Sequence, residues 1–407
     1  MPSQRIRRSV VLVLVTTGIW LAAMLALGRT AGAVASGDRY NLPLWIAGHL
    51  SRVWINPVAR HLGGGFVPAT DSQVLDFLGG SSAVAASERD LAFAEASDVD
   101  TEVAAKEMQR RIQTLNAQAW PVEDRLSGEL ASAIHVEALD TPLPAFTRIR
   151  VVWPPVAFAY DLPPYLLIQS PRDRIELEDT TLLRSDLSPS VASRLTGDVE
   201  ASGASALVVR IGGLAAYPAV VEEDDSYSDA LDLLAHEWTH QYLLFHPLGI
   251  RYFESRAMTT INETVANMVG RELAADLRER FPLTGTPERF RSSAPAPDPT
   301  INVDRVLHQL RLDVDALLIQ GNIPTAEQRM ADTRRFLTEH GYYLPPINQA
   351  YFAFYGAYAD TAASTSPLGP RLASLRRLYP SLASFVRSVQ DVRNAEDLTR
   401  LLISASG

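Results

Sequence analysis

The stretch LLAHEWTHQYLLFHPLG, Leu233 to Gly249, sets His236, Glu237 and His240 in the order HExxH. Residues four apart share one face of a helix, so two imidazoles at this spacing can reach one metal ion. Glu237 stands to the side, where a water on that ion would sit. Neutral imidazoles suit zinc, which lowers the pKa of its bound water, and a carboxylate there can take the water's proton as general base. The preceding DALDLLA carries apolar residues at helical spacing, which gives the motif its helix. The chain has no cysteine, which excludes thiolate ligands, disulfides and a cysteine nucleophile. Any metal must be held by nitrogen and oxygen.

A catalytic zinc site ordinarily has three protein ligands and one open position. Two residues compete for the third place. His246 falls where the longer pattern HExxHxxGxxH puts its last histidine, but Leu243 holds the place of the glycine that lets the chain leave the helix. On a continuing helix His246 stands well over a right angle around the axis from the other two. It is expected to be a helix-end residue before Pro247, and Met258 to be a packing residue. The other candidate is Glu263 in TTINETVANMVGREL, on a second helix whose packed face is marked by Ile261, Val265 and Met268.

HExxH followed on a second helix by the pair Asn262-Glu263 resembles the gluzincins, the thermolysin-like metallopeptidases. The resemblance covers about residues 206–271. It implies that Glu263 is the third ligand of a Zn2+ cofactor and that peptide bonds are hydrolysed by a zinc-bound water activated by Glu237. It also implies an orienting partner for the first histidine one helical turn after Glu263, a place held by Asn267, whose carbonyl can accept from an imidazole N–H. A substrate-binding strand is expected just before the HExxH helix. Gly212, Gly213 and Leu214 in VVRIGGLAAYPAVV are the candidates, since glycines admit another backbone and Pro218 suits an edge strand. The family further supplies a Tyr or His donor to the oxyanion. Asn348, Tyr351, Tyr355 and Tyr358 of NQAYFAFYGAYAD fall on one helical face, and Tyr355 is the leading candidate, although such a stripe also suits a core. The C-terminal text, with EQRMADTRRFLTEHGY before it, is similar to predicted membrane-anchored bacterial metallopeptidases.

These residues need elements to position them. At 407 residues, 47% hydrophobic and 21% charged, with a net charge of -10, the chain is neither disordered nor a nucleic-acid binder. Its expected partners are a peptide or protein substrate and the membrane. Arg5, Arg7 and Arg8 precede an uncharged apolar run from Ser9 to Gly28, about the length that spans a bilayer. The arginines favour a cytoplasmic N-terminus, with the catalytic part extracytoplasmic. Cleavage after the small residues Ala33 to Ala35 is the alternative, which would make the protein secreted.

Alanine-rich helical text then gives way at Thr147 to short alternating runs separated by PP and SPRD, and nearly everything after the HExxH helix reads as helix, interrupted by the Pro-rich loop PLTGTPERFRSSAPAPDPT. The expected fold class is α+β: an N-terminal transmembrane helix, a helical segment, a small mixed sheet with the active-site helix, and a mainly α-helical C-terminal lobe. The expected divisions are an anchor over 1–35, a helical stalk over 36–145, sheet plus zinc-binding helices over 146–281, and the helical lobe over 301–407. The acidic run Glu222 to Asp225 suits helix capping. The rival reading is a non-catalytic, membrane-tethered binding or scaffold protein that keeps a gluzincin fold.

Overall fold

The computed structural model of the protein describes residues 34–49, 68–97, 99–143 and 146–406. The apolar run from Ser9 to Gly28 lies outside them. Among the described residues no helix is long and apolar enough to cross a membrane. The architecture is α+β and mostly helical, with two three-stranded sheets and a two-stranded ribbon.

A helical stretch over 42–49 packs Leu42 and Ile46 against Ala216. Three helices follow, α1 (Asp71–Ala96), α2 (Glu102–Asn116) and α3 (Trp120–Val136). The β region begins with the ribbon β1 (Thr141–Leu143) and β2 (Phe146–Val151), then β3 (Phe158–Tyr160), β4 (Tyr165–Pro171) and β5 (Asp179–Leu183). Helix α4 (Pro189–Ala201) leads into β6 (Ala204–Arg210). The text VVRIGGLAAYPAVV, which reads as one return to strand, is divided among β6, β7 (Gly213–Leu214) and β8 (Ala219–Val221).

The division puts the pieces in different sheets, β5-β4-β6 and β3-β8-β7. Pro218 therefore does not lie on an edge strand. It precedes β8, the central strand of its sheet, where its missing N–H costs no ladder bond. The edge is β7, the strand that starts at Gly213.

The two helices of the motif are each started by a serine. Ser226 accepts from Asp229 N (3.4 Å) at the head of α5 (Tyr227–Leu243), and Ser255 accepts from Met258 N (3.3 Å) at the head of α7 (Arg256–Arg280). Between them lies the short helix α6 (Pro247–Ile250), with His246 at its N-cap.

The C-terminal part comprises α8 (Val303–Ile319), α9 (Ile323–Glu339), α10 (Gln349–Tyr355), α11 (Leu368–Leu378), α12 (Leu382–Val389) and α13 (Ala395–Ser406). Helix α10 ends at Tyr355, before Gly356, and not at Asp360 as its aromatic spacing suggests. Asn348 is its N-cap, accepting from Tyr351 N (2.9 Å).

Among the described residues two apolar clusters are the largest. One joins Leu130 and Ile134 of α3, Leu231, Leu234 and Trp238 of α5, Ile261, Val265 and Val269 of α7, and Leu372 and Phe385 from the C-terminal helices. The other packs Ile168 and Leu207 of the β4–β6 pair against Leu310, Val314, Met330 and Phe352 of α8, α9 and α10.

Candidate metal centre

Helices α5 and α7 cross in close contact at Gly270. A Cβ there would lie 2.9 Å from the Asp232 carbonyl oxygen and 3.3 Å from the His236 backbone nitrogen, closer than side chains tolerate. Glu263 lies about two turns earlier on the same face of α7 and is brought to His236 and His240 by this approach.

The three side chains converge. His236 Nε2 and His240 Nε2 are 2.9 Å apart, and Glu263 Oε2 lies 3.6 Å and 3.3 Å from them. Around a tetrahedral ion with bonds of ~2.1 Å, ligand atoms stand ~3.4 Å apart. The group can hold a metal ion.

Its surroundings orient each ligand. His240 Nδ1 is 2.7 Å from Asn262 Oδ1, an oxygen that only accepts, so the proton belongs on Nδ1 and the Nε2 lone pair faces the centre. Asn262 is itself held by donating to Leu248 O (3.3 Å). The Tyr252 hydroxyl donates to Glu263 Oε1, which leaves the buried Oε2 without a hydrogen-bond partner. A lone pair and an orphaned carboxylate oxygen aimed at one point call for a positive charge there. The proton affinities say the same. Burial works against charge on both partners, yet the Glu263 carboxylate carries His240 up to about 9, and the two imidazoles hold Glu263 far below the usual carboxylate range.

Glu237 is 5% exposed, and burial pushes its carboxyl up against the pull of the two imidazoles. It lies against β7. A Cβ on Gly213 would sit 2.7 Å from Glu237 Cδ, so any side chain there would push that carboxylate from its place. Gln241, one turn after Glu237, donates to Ala216 O (2.6 Å) and fixes the chain leaving β7. Gly213 and Leu214 thus form an edge strand alongside Glu237, with Gly212 in the bend before it.

Two expected roles are not supported by position. Asn267 does not orient a histidine: its Nδ2 donates to Asp360 Oδ1 (3.1 Å), and the amide that meets an imidazole is Asn262, adjacent to Glu263. Asn267 is one turn past Glu263 on nearly the same face of α7, but its amide is taken up by Asp360 of the C-terminal part. Tyr355 does not face the triad either. It packs on Tyr351, the rings tilted with centroids 4.5 Å apart, and burial followed by the charge of Glu222 raises its phenol.

Because α10 stops at Tyr355, Tyr358 leaves the aromatic stripe. Its phenol is pushed well up, first by the charge of Glu263, then by burial and by Glu237, which places it within electrostatic reach of both carboxylates. Ala359 N donates to Thr264 Oγ1 (3.2 Å), and Asp360 pairs with Asn267 and Arg271, so the residues after Tyr358 are clasped to α7. His246 packs on Tyr242 away from the triad (ring centroids 4.7 Å), and Met258 is core at 1% exposure, both as expected.

Sequence reasoning did not find Asn262 as a histidine partner, Tyr252 or Gly270. Gly270 had a signal, being on the face of Glu263; Tyr252, in the turn after α6, had none. Comparison with protein-family models, with curated proteins and with solved structures finds no match. The site is therefore read from its own geometry.

Proposed function

We propose that this chain is a zinc metallopeptidase of the gluzincin type, tethered to the membrane by its N-terminal run with the catalytic part outside the cytoplasm. The observation that carries the reading is the orphaned Glu263 Oε2 converging with two imidazole nitrogens beside the buried Glu237. Two nitrogens and one carboxylate oxygen suit zinc, whereas calcium and magnesium favour sites built of oxygen alone. Zinc held there supplies Lewis acidity and an acidic water near neutral pH.

The chain's own residues do the rest. His236, His240 and Glu263 hold the ion, and Asn262 and Tyr252 keep His240 and Glu263 aimed at it. Glu237, whose proton affinity burial raises, takes the proton of the attacking water and can return it to the leaving nitrogen. The edge of β7 accepts an extended peptide as an added strand, and Gly213 leaves that backbone access to Glu237. Tyr358 replaces Tyr355 as the candidate donor to the oxyanion.

Purified protein is expected to carry one zinc per chain. Glu237→Gln should keep that zinc while peptide hydrolysis falls by about 10²- to 10⁴-fold. Hydrolysis at the wild-type rate in that variant overturns the reading.

A further inference from the structure

The two consecutive glycines before Leu214 touch two different carboxylates. Gly213 abuts Glu237, while the Cβ position of Gly212 is 3.0 Å from Glu222 Oε1, and Glu222 N donates to Gly212 O (2.9 Å). One residue along the strand therefore leads from the reacting centre to Glu222. Glu223 follows it in the chain, and Glu88 of α1 adds its charge to both.

These acids are poorly neutralised. Among the described residues none of the three forms an ion pair within 4 Å, whereas carboxylates such as Asp140 and Glu327 do. The nearby Arg210 donates to the Tyr165 hydroxyl (2.9 Å) and lies over its ring, acting on Glu88 and Glu222 only from a distance. Burial and mutual repulsion push Glu222 up to about 8 and Glu223 up to about 7.

A second observation points to a ligand. Asn116, the last residue of α2 and 5% exposed, donates from Nδ2 to Glu223 Oε2 (3.2 Å), and its Oδ1 has no partner. A buried, unsatisfied acceptor beside carboxyl groups that no cation pairs with leaves a place for further hydrogen-bond donors and for positive charge. A group that brings several N–H donors and a positive charge satisfies it: an ammonium or a guanidinium.

We infer that Glu222, Glu223 and Asn116 form a cation-accepting subsite next to the candidate centre, selecting peptides with a positive charge close to the bond to be cut. The inference rests on the peptidase reading. The charge has two sources, a lysine or arginine side chain or the free amino terminus of the peptide, and the test separates them.

The test measures binding to zinc-loaded Glu237→Gln protein by fluorescence anisotropy, with peptides labelled at the C-terminus. Lysine and norleucine are compared at successive positions, each with a free and an acetylated amino terminus. The expected result is that a positive charge at one position tightens binding about tenfold or more. The gain should shrink in Glu222→Gln and in Glu223→Gln, which keep side-chain volume, and vanish in the double variant. A gain that survives acetylation assigns the site to a side chain, and one lost on acetylation assigns it to the amino terminus. Equal binding of charged and neutral peptides, or a preference that survives the double substitution, overturns the subsite. Charge-selective binding without hydrolysis by the wild-type protein counts against the peptidase reading and leaves the subsite standing.

Discussion

Two tyrosines three residues apart sit in different electrostatic settings. Tyr355 is raised by burial and by Glu222, and Tyr358 chiefly by Glu263. A phenol held protonated beside two carboxylates is a hydrogen-bond donor over the whole working pH range, as an oxyanion donor must be. On the proposed reading Tyr358→Phe lowers kcat about 10²- to 10³-fold with KM little changed, and Tyr355→Phe changes kcat far less. Steady-state kinetics on one peptide decide it; an unchanged kcat in Tyr358→Phe removes that residue from the chemistry. The sequence put Tyr355 and Tyr358 on one helical face because periodicity assumes that the helix continues. Gly356 follows the last residue of α10, and the chain turns there.

At the scale of elements, the crossing of α5 and α7 makes the candidate centre. Apolar spacing on both helices and the HExxH pattern on the first made them legible. Their closest approach was not, because it depends on which faces meet. Gly270→Ala places a methyl group against the Asp232 carbonyl and is expected to cost about 1–3 kcal/mol of stability. Since Glu263 rides on the same helix, zinc affinity should fall with it. Thermal melts and competition with a chromogenic chelator measure the two effects. Wild-type values for both would mean that the helices have slack at the crossing. The clasp of Thr264, Asn267 and Arg271 on residues 359 and 360 gives the Asn267 amide its partner in Asp360, whereas the family spacing gives it a histidine.

Across the whole molecule, α5 and α7 belong to one apolar core, while α10, which leads into the Tyr358 turn, belongs to the other. An ion shared by α5 and α7 would add a further tie between elements already held by packing and by the His240–Asn262 hydrogen bond. Zinc in excess of its dissociation constant by about 100-fold should add ~2.7 kcal/mol to the folded state. Calorimetry of chelator-treated protein with and without zinc should show the rise in Tm, and Ala at Glu263 should abolish it. A Tm indifferent to zinc would mean that the folded protein has no such site.

The sequence by itself determined the α+β class, the two helices of the motif, and the placing of His236, Glu237 and His240 on the first of them and of Glu263 on the second. Local rules suffice for these, since caps, helical period and residue chemistry act over a few positions. Only the tertiary structure decided that Asn262 and Tyr252 aim the ligands, that Gly213 lies against Glu237, and that the charge of Glu263 bears on Tyr358 while that of Glu222 bears on Tyr355. Each of those depends on the distance between elements remote in the chain, and packing alone sets that distance.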